Sequence, residues 1–166
     1  MPKTRSARPA RPKVSVPDTF EALDRDHRLV LENLAQLALL IERLDAQGVD
    51  ATARQFAQHI RSFFEGGARA HHIAEEQTVF PPLLSSPDAD LVQHVLRLQQ
   101  DHGWIEEDWL ELAPQLQAIA EGHNGYDIDF LRAAVPVFTD LYREHITLEE
   151  TIVYPASRRQ QSGSSP

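Results

Sequence analysis

Cysteine is absent from the 166 residues. That excludes disulfides, thiol catalysis and thiolate metal ligands, and by itself says nothing of the compartment. No apolar run is long enough for a membrane span, which needs roughly 18 residues or more. No apolar stretch follows the basic N-terminus, so it does not read as a secretory signal. Anions are missing from residues 1–13, which carry Lys3, Arg5, Arg8, Arg11 and Lys13. The net charge is −9, so the rest of the chain stands at −14 once those five cations are set aside. An acidic body argues against nucleic-acid binding as the main task. It suits a soluble, cytoplasmic protein that attracts cations. An apolar content of 42% fits a globular chain, and the length fits one domain.

Residues 1–17 are basic and rich in proline, with few large apolar side chains. They are expected to form a disordered tail, either a solvated leader or an electrostatic tether to an acidic protein partner or nucleic acid. Helical periodicity fills residues 18–157. The first helix is expected to open near Asp18, with Glu21 three residues on, and to run through Leu23, His27, Val30, Leu34 and Ile41 to Leu44. Gln47-Gly48-Val49-Asp50 ends it and caps the next. The second helix covers 51–84; its stripe passes through Ile60, Gly67, His71, Glu75 and Thr78, and Pro81-Pro82 stops or kinks it. The adjacent Gly66 and Gly67 each cost about 1 kcal/mol against alanine, which points to close packing or empty space beside His71. The third helix follows Asp88 and runs to about residue 121, bent at Pro114. The fourth covers about 127–157, through Phe138, His145, Glu149 and Ile152. Residues 158–166 read as a flexible C-terminal tail. The expected fold class is all-α: four long helices on short connections, an antiparallel up-down four-helix bundle.

Two stretches of this chain repeat each other. His71-His72-Ile73-Ala74-Glu75-Glu76-Gln77-Thr78-Val79-Phe80-Pro81 is echoed 74 residues on by His145-Ile146-Thr147-Leu148-Glu149-Glu150-Thr151-Ile152-Val153-Tyr154-Pro155. Asp26-His27 is echoed by Asp101-His102 at an offset of 75. Each helix therefore puts one histidine on its apolar stripe, and two helices add a glutamate one turn later on the same face. A lone histidine on such a face is usually a satisfied core residue. Four at matching places are not, and a buried carboxylate costs several kcal/mol unless it is paired or binds metal. A metal cluster accounts for all of them.

The donors are imidazole and carboxylate, and there are six or more, beyond the four that one zinc ion takes. Two ions with bridging carboxylates match the count, iron ranking first and manganese and zinc behind. The Glu-x-x-His tetrad of ferritin-type bundles does not occur. The order is His-x-x-x-Glu.

On HHIAEEQTVFP, HITLEETIVYP and the two Asp-His elements, the chain resembles the hemerythrin-like family of HHE cation-binding domains over about residues 18–156. The resemblance implies a four-helix bundle around a non-haem di-iron centre, oxo- or hydroxo-bridged. The implied ligands are His27, His71, Glu75, His102, His145 and Glu149, with Glu75 and Glu149 as bridges. Oxygen-carrying members place a second histidine four residues after the first on the third helix. Glu106 stands there and is expected as a seventh ligand. The carriers' wider spacing on the fourth helix would select Glu150, but the internal repeat favours Glu149. His72 and Glu76, rotated about 100° from His71 and Glu75, read as an exposed pair or one standing behind the ligands. His59, His94 and His123 read as solvated. Tyr142 is either core or a hydrogen-bond donor to a bound oxygen species, and Trp104 and Trp109 are expected between helices.

The expected function is di-iron binding of O2 or a related small ligand, for sensing, carriage or storage. The alternatives are an oxidoreductase acting on O2, peroxide or nitric oxide, an iron-storage or iron-sensing module, and a metal-free bundle.

Overall fold

The protein is described by a computed structural model over residues 16–163, with side chains from residue 20 onward. The basic segment up to residue 15, the last three residues and the side chain of Asp18 lie outside the described residues. Four helices account for the rest. α1 is Val16–Gln47, beginning two residues ahead of the expected start. α2 is continuous over 51–84, α3 is Ala89–Ala120, and α4 is continuous over 128–163. The first helix lies against α2 and α4, and α3 lies against the same two. No helix among the described residues is long and apolar enough to cross a membrane.

Local chemistry sets the helix ends. Asp50 accepts from the Ala53 N–H at 2.8 Å, Asp88 from the N–H groups of Asp90 and Leu91 at 3.1 Å, and Asp127 from the Phe130 N–H at 2.9 Å. Each of these satisfies donors that a helix start leaves open. Gly48 and Gly122 stop α1 and α3 at φ +68° and +80°, which a side chain resists.

Three π turns interrupt the α-helical rise: Phe64–Ala68 and Glu75–Val79 in α2, and Glu149–Val153 in α4. Each wide turn takes in an extra residue and rotates the next stretch of helix about its axis. Burial in α2 therefore steps from Ile60 to Phe64 to Ala68, and from His71 to Glu75 to Val79. The places expected for Gly67, Thr78 and Ile152 pass to Ala68, Val79 and Val153. The same turns let the helices run past Pro81-Pro82 and Pro155, since they loosen the carbonyl a proline ring would strike. α4 continues to Gly163, through six residues expected in the C-terminal tail, with Arg158 reaching Asp24 at 3.1 Å. Pro114 and Pro136 lie inside unbroken helices.

The core falls into two apolar clusters. The larger holds Val30 to Leu44, Ala53 to Ala68, Ile105 to Ile119 and Leu131 to Ile146. The smaller holds Phe20, Leu23, Val79 to Leu83, Val95, Leu98 and Val153 to Ala156. Between them, on every helix, sit the histidines and glutamates of the repeat.

Candidate metal centre

His27 on α1, His71 on α2, His102 on α3 and His145 on α4 are all buried, and Glu75 and Glu149 are wholly so. Two of the three π turns begin on these glutamates. Glu75 directs one oxygen at His71 Nε2 (3.5 Å) and the other at His102 Nε2 (3.3 Å). Glu149 does the same with His27 Nε2 and His145 Nε2, both at 3.0 Å. Two donor sets result: His27 and His71 on one side, His102 and His145 on the other, with both carboxylates common to the two. The donor atoms within each set lie within 4.8 Å of one another.

The outer ring nitrogens explain the rest of the motif. His27 Nδ1 pairs with Glu150 and His102 Nδ1 with Glu76, each at 2.9 Å. His71 Nδ1 faces Asp26 at 3.5 Å and His145 Nδ1 faces Asp101 at 3.6 Å, too long for hydrogen bonds but close enough for charge to act. The acid of each Asp-His serves the histidine of the next helix in the chain. The second acid of each Glu-Glu serves the histidine of the helix after it, α4 returning to α1. A carboxylate behind an imidazole fixes its tautomer and turns the inner nitrogen toward the centre. Sequence reasoning does not single out these four acids as partners, although the repeated Asp-His and Glu-Glu pairs carry the signal.

The two halves differ in two ways. Tyr154 donates its hydroxyl to Glu75 and lies 3.2 Å from His27 Nε2. Its counterpart is Phe80, which stacks on His102. The Phe/Tyr mismatch in the repeat is its one trace in the sequence. His72 joins the second half, its ring stacked on His102 with centroids 4.0 Å apart and grouped with His102 and His145. Glu106 does not join. Ile105 takes the core position, and Glu106, turned to the surface with its side chain 57% exposed, pairs with Arg69 at 3.2 Å. Tyr142 is buried among Phe64, Phe138 and His72 and donates no hydrogen bond among the described residues. Trp109 is core, but Trp104 is 45% exposed rather than held between helices. His59 and His123 are exposed and His94 half-buried.

Protonation divides the site. Burial, then the neighbouring Glu149, push Glu75 well above the carboxylate range. Burial works against ionising Glu149 too, but His145 and His27, each 3.0 Å away, hold it well below. Burial opposes a charge on His145 as well; Glu149 and Asp101 overcome it and raise it to about 9. His27 moves up for like reasons, against burial and through Glu149 and Glu150. Burial and then His27 lower His71 to about 3; burial and then His102 lower His72 to about 2. His102 is also lowered, by burial and then His145.

Even so, the buried polar atoms do not satisfy one another. Glu75 Oε2, both Glu149 oxygens, His102 Nε2 and His145 Nε2 have no partner in hydrogen-bonding geometry. Leaving such atoms unpaired costs roughly 1–3 kcal/mol each, more where charged. All five converge on the space shared by the two sets. A nitrogen and oxygen donor set of this kind fits a divalent cation in each half.

Comparison with known proteins agrees with this geometry. A Haemophilus influenzae (strain ATCC 51907 / DSM 11121 / KW20 / Rd) protein described as uncharacterized is 28% identical over 136 residues, covering 81% of this chain and 76% of the relative. No solved structure matches significantly. Residues 18–157 match the hemerythrin HHE cation-binding domain, so the chain belongs to that metal-binding family.

Proposed function

We propose that the chain is a non-haem di-iron protein that binds O2 or a related small ligand between its helices. One observation carries the reading: buried carboxylate and imidazole atoms without partners face one shared space. His27 and His71 would hold one ion, and His102, His145 and His72 the other, with Glu75 and Glu149 common to both. Bound iron supplies one-electron redox chemistry and an open coordination position. The protein's part is to orient: Glu150, Asp26, Glu76 and Asp101 hold the four imidazoles, and Tyr154 holds Glu75. The apolar clusters on either side keep water from the carboxylates. The order of those clusters reverses from each helix to the next, which supports an antiparallel up-down run of the four.

Anaerobic Fe(II) loading, followed by air, tests the reading. Two irons per chain and charge-transfer absorption are expected, and one zinc or no metal would overturn it. Absorption that reverses when O2 is withdrawn marks a carrier or sensor. The oxidoreductase reading draws on the hydroxyl of Tyr154 beside Glu75, and irreversible oxidation with steady turnover favours it. Glu106→Ala is expected to keep full metal content and to lose no more than the ~0.2–1 kcal/mol of an exposed ion pair. Loss of an ion from that variant would restore Glu106 as a ligand.

A further inference from the structure

Between α2 and α3 lies a cavity of about 520 Å³. A water occupies about 30 Å³ in the liquid, so the space far exceeds what a diatomic ligand needs and falls in the range of organic-molecule sites. Its floor is buried and aromatic, formed by Phe64, Trp109 and Tyr142, and it ends on His72 and His102. It sits beside the π turn Phe64–Ala68, and the matching stretch of α4 is regular α-helix. The repeat thus departs from its own symmetry at this opening.

The polar groups of the cavity narrow the choice of ligand. At the rim, Arg69 pairs with Glu106 and Glu65 with Arg61. Deeper in, Glu76 is engaged by His102 and Gln99. Both arginines at the rim are paired and both oxygens of Glu76 are engaged, so an anionic ligand would find no free cation waiting. His72 differs: no side chain or backbone group among the described residues hydrogen-bonds its ring. An imidazole offers one nitrogen as donor and the other as acceptor when neutral.

We propose that this cavity is a binding site for an uncharged aromatic molecule bearing one hydroxyl, its ring on Phe64, Trp109 and Tyr142 and its hydroxyl on His72. Through His72, such a molecule would touch the second donor set itself. The site is formed by the protein's own side chains, so binding can be read in the metal-free chain.

The test uses the metal-free full-length chain and 4-phenylphenol. Trp109 lies in the cavity floor and Trp104 lies outside the lining, so the two indole N–H resonances give signal and internal reference. A saturable shift of Trp109 with Trp104 unmoved is expected. No shift, or equal shifts of both, would overturn the site. Binding of 4-biphenylsulfonate with equal affinity would overturn the uncharged class. Ala113→Phe fills the cavity and is expected to weaken binding by at least about tenfold. His72→Phe keeps the walls and serves if Ala113→Phe does not fold. It should weaken 4-phenylphenol about 2- to 10-fold while leaving biphenyl unchanged, and unaltered 4-phenylphenol binding would remove the hydroxyl from His72. Because every reading is taken without metal, failure here is separate from failure of the di-iron reading, which metal content decides.

Discussion

Glu149→Gln should abolish loading of both ions while the helices remain. Glu149 places one oxygen 3.0 Å from His27 Nε2 and the other 3.0 Å from His145 Nε2. It therefore belongs to both donor sets, and nothing else on α4 replaces it. An amide of the same shape keeps one oxygen and turns the other into an NH2 group that cannot ligate. The set facing that NH2 loses a donor and gains a blocking group, and both sets lose the negative charge. Full metal content in this variant, by elemental analysis after equilibration with a weak chelator, would remove Glu149 from the centre. Two controls calibrate the result. His145→Ala takes a donor from one set only, so partial loading is expected. Glu150→Gln alters the partner of His27 Nδ1 and leaves every inner donor in place. Its effect should be a loss of affinity of about 10- to 100-fold, the usual effect of removing a group that orients a ligand.

The inner six residues were legible because the repeat marks them twice. His27, His71, His102 and His145 recur at nearly one offset, and Glu75 and Glu149 share the face of the preceding histidine. Helix number and most boundaries were legible for a similar reason: aspartates at the starts and glycines after the ends leave plain marks. What was hidden depends on the π turns. A stripe counted at 3.6 residues per turn runs through Gly67, Thr78 and Ile152, whereas each wide turn moves the buried position on by one. In α3, which has no such turn, the stripe from Val95 to Ile119 follows the count. Glu106 failed on a finer point. It shares an edge of the stripe with Ile105, and the apolar neighbour takes the interior while the carboxylate finds Arg69. His72 was the converse. Its place by count is off the stripe beside His71, but the turn Phe64–Ala68 precedes it on α2 and its ring reaches His102.

The stability gap between metal-loaded and metal-free protein should widen as pH rises from about 6.5 to 9. In the metal-free protein, His145 is raised to about 9, against burial and through Glu149, and His27 is also raised. A histidine whose folded value lies above its unfolded value stabilises fully below the unfolded value, about 6.5, and loses that contribution as pH climbs through the folded one. Ionising Glu75, raised by burial and Glu149, acts in the same sense from 4.5 upward. His71, His72 and His102 are lowered, chiefly by burial; their contribution is present above 6.5 and lost as pH falls. Glu149, held below its usual range, also loses its contribution in acid. The metal-free protein should therefore be most stable near pH 6.5 and weaken on both sides. A bound cation replaces the protons on His145, His27 and Glu75, so binding strengthens by about tenfold per pH unit for each proton displaced. Thermal unfolding with and without Fe(II), under anaerobic conditions at several pH values, reads this directly. A gap that stayed constant or narrowed above pH 6.5 would mean that the cation does not compete for these protons. It would then have to bind away from the carboxylates on which both halves of the repeat converge.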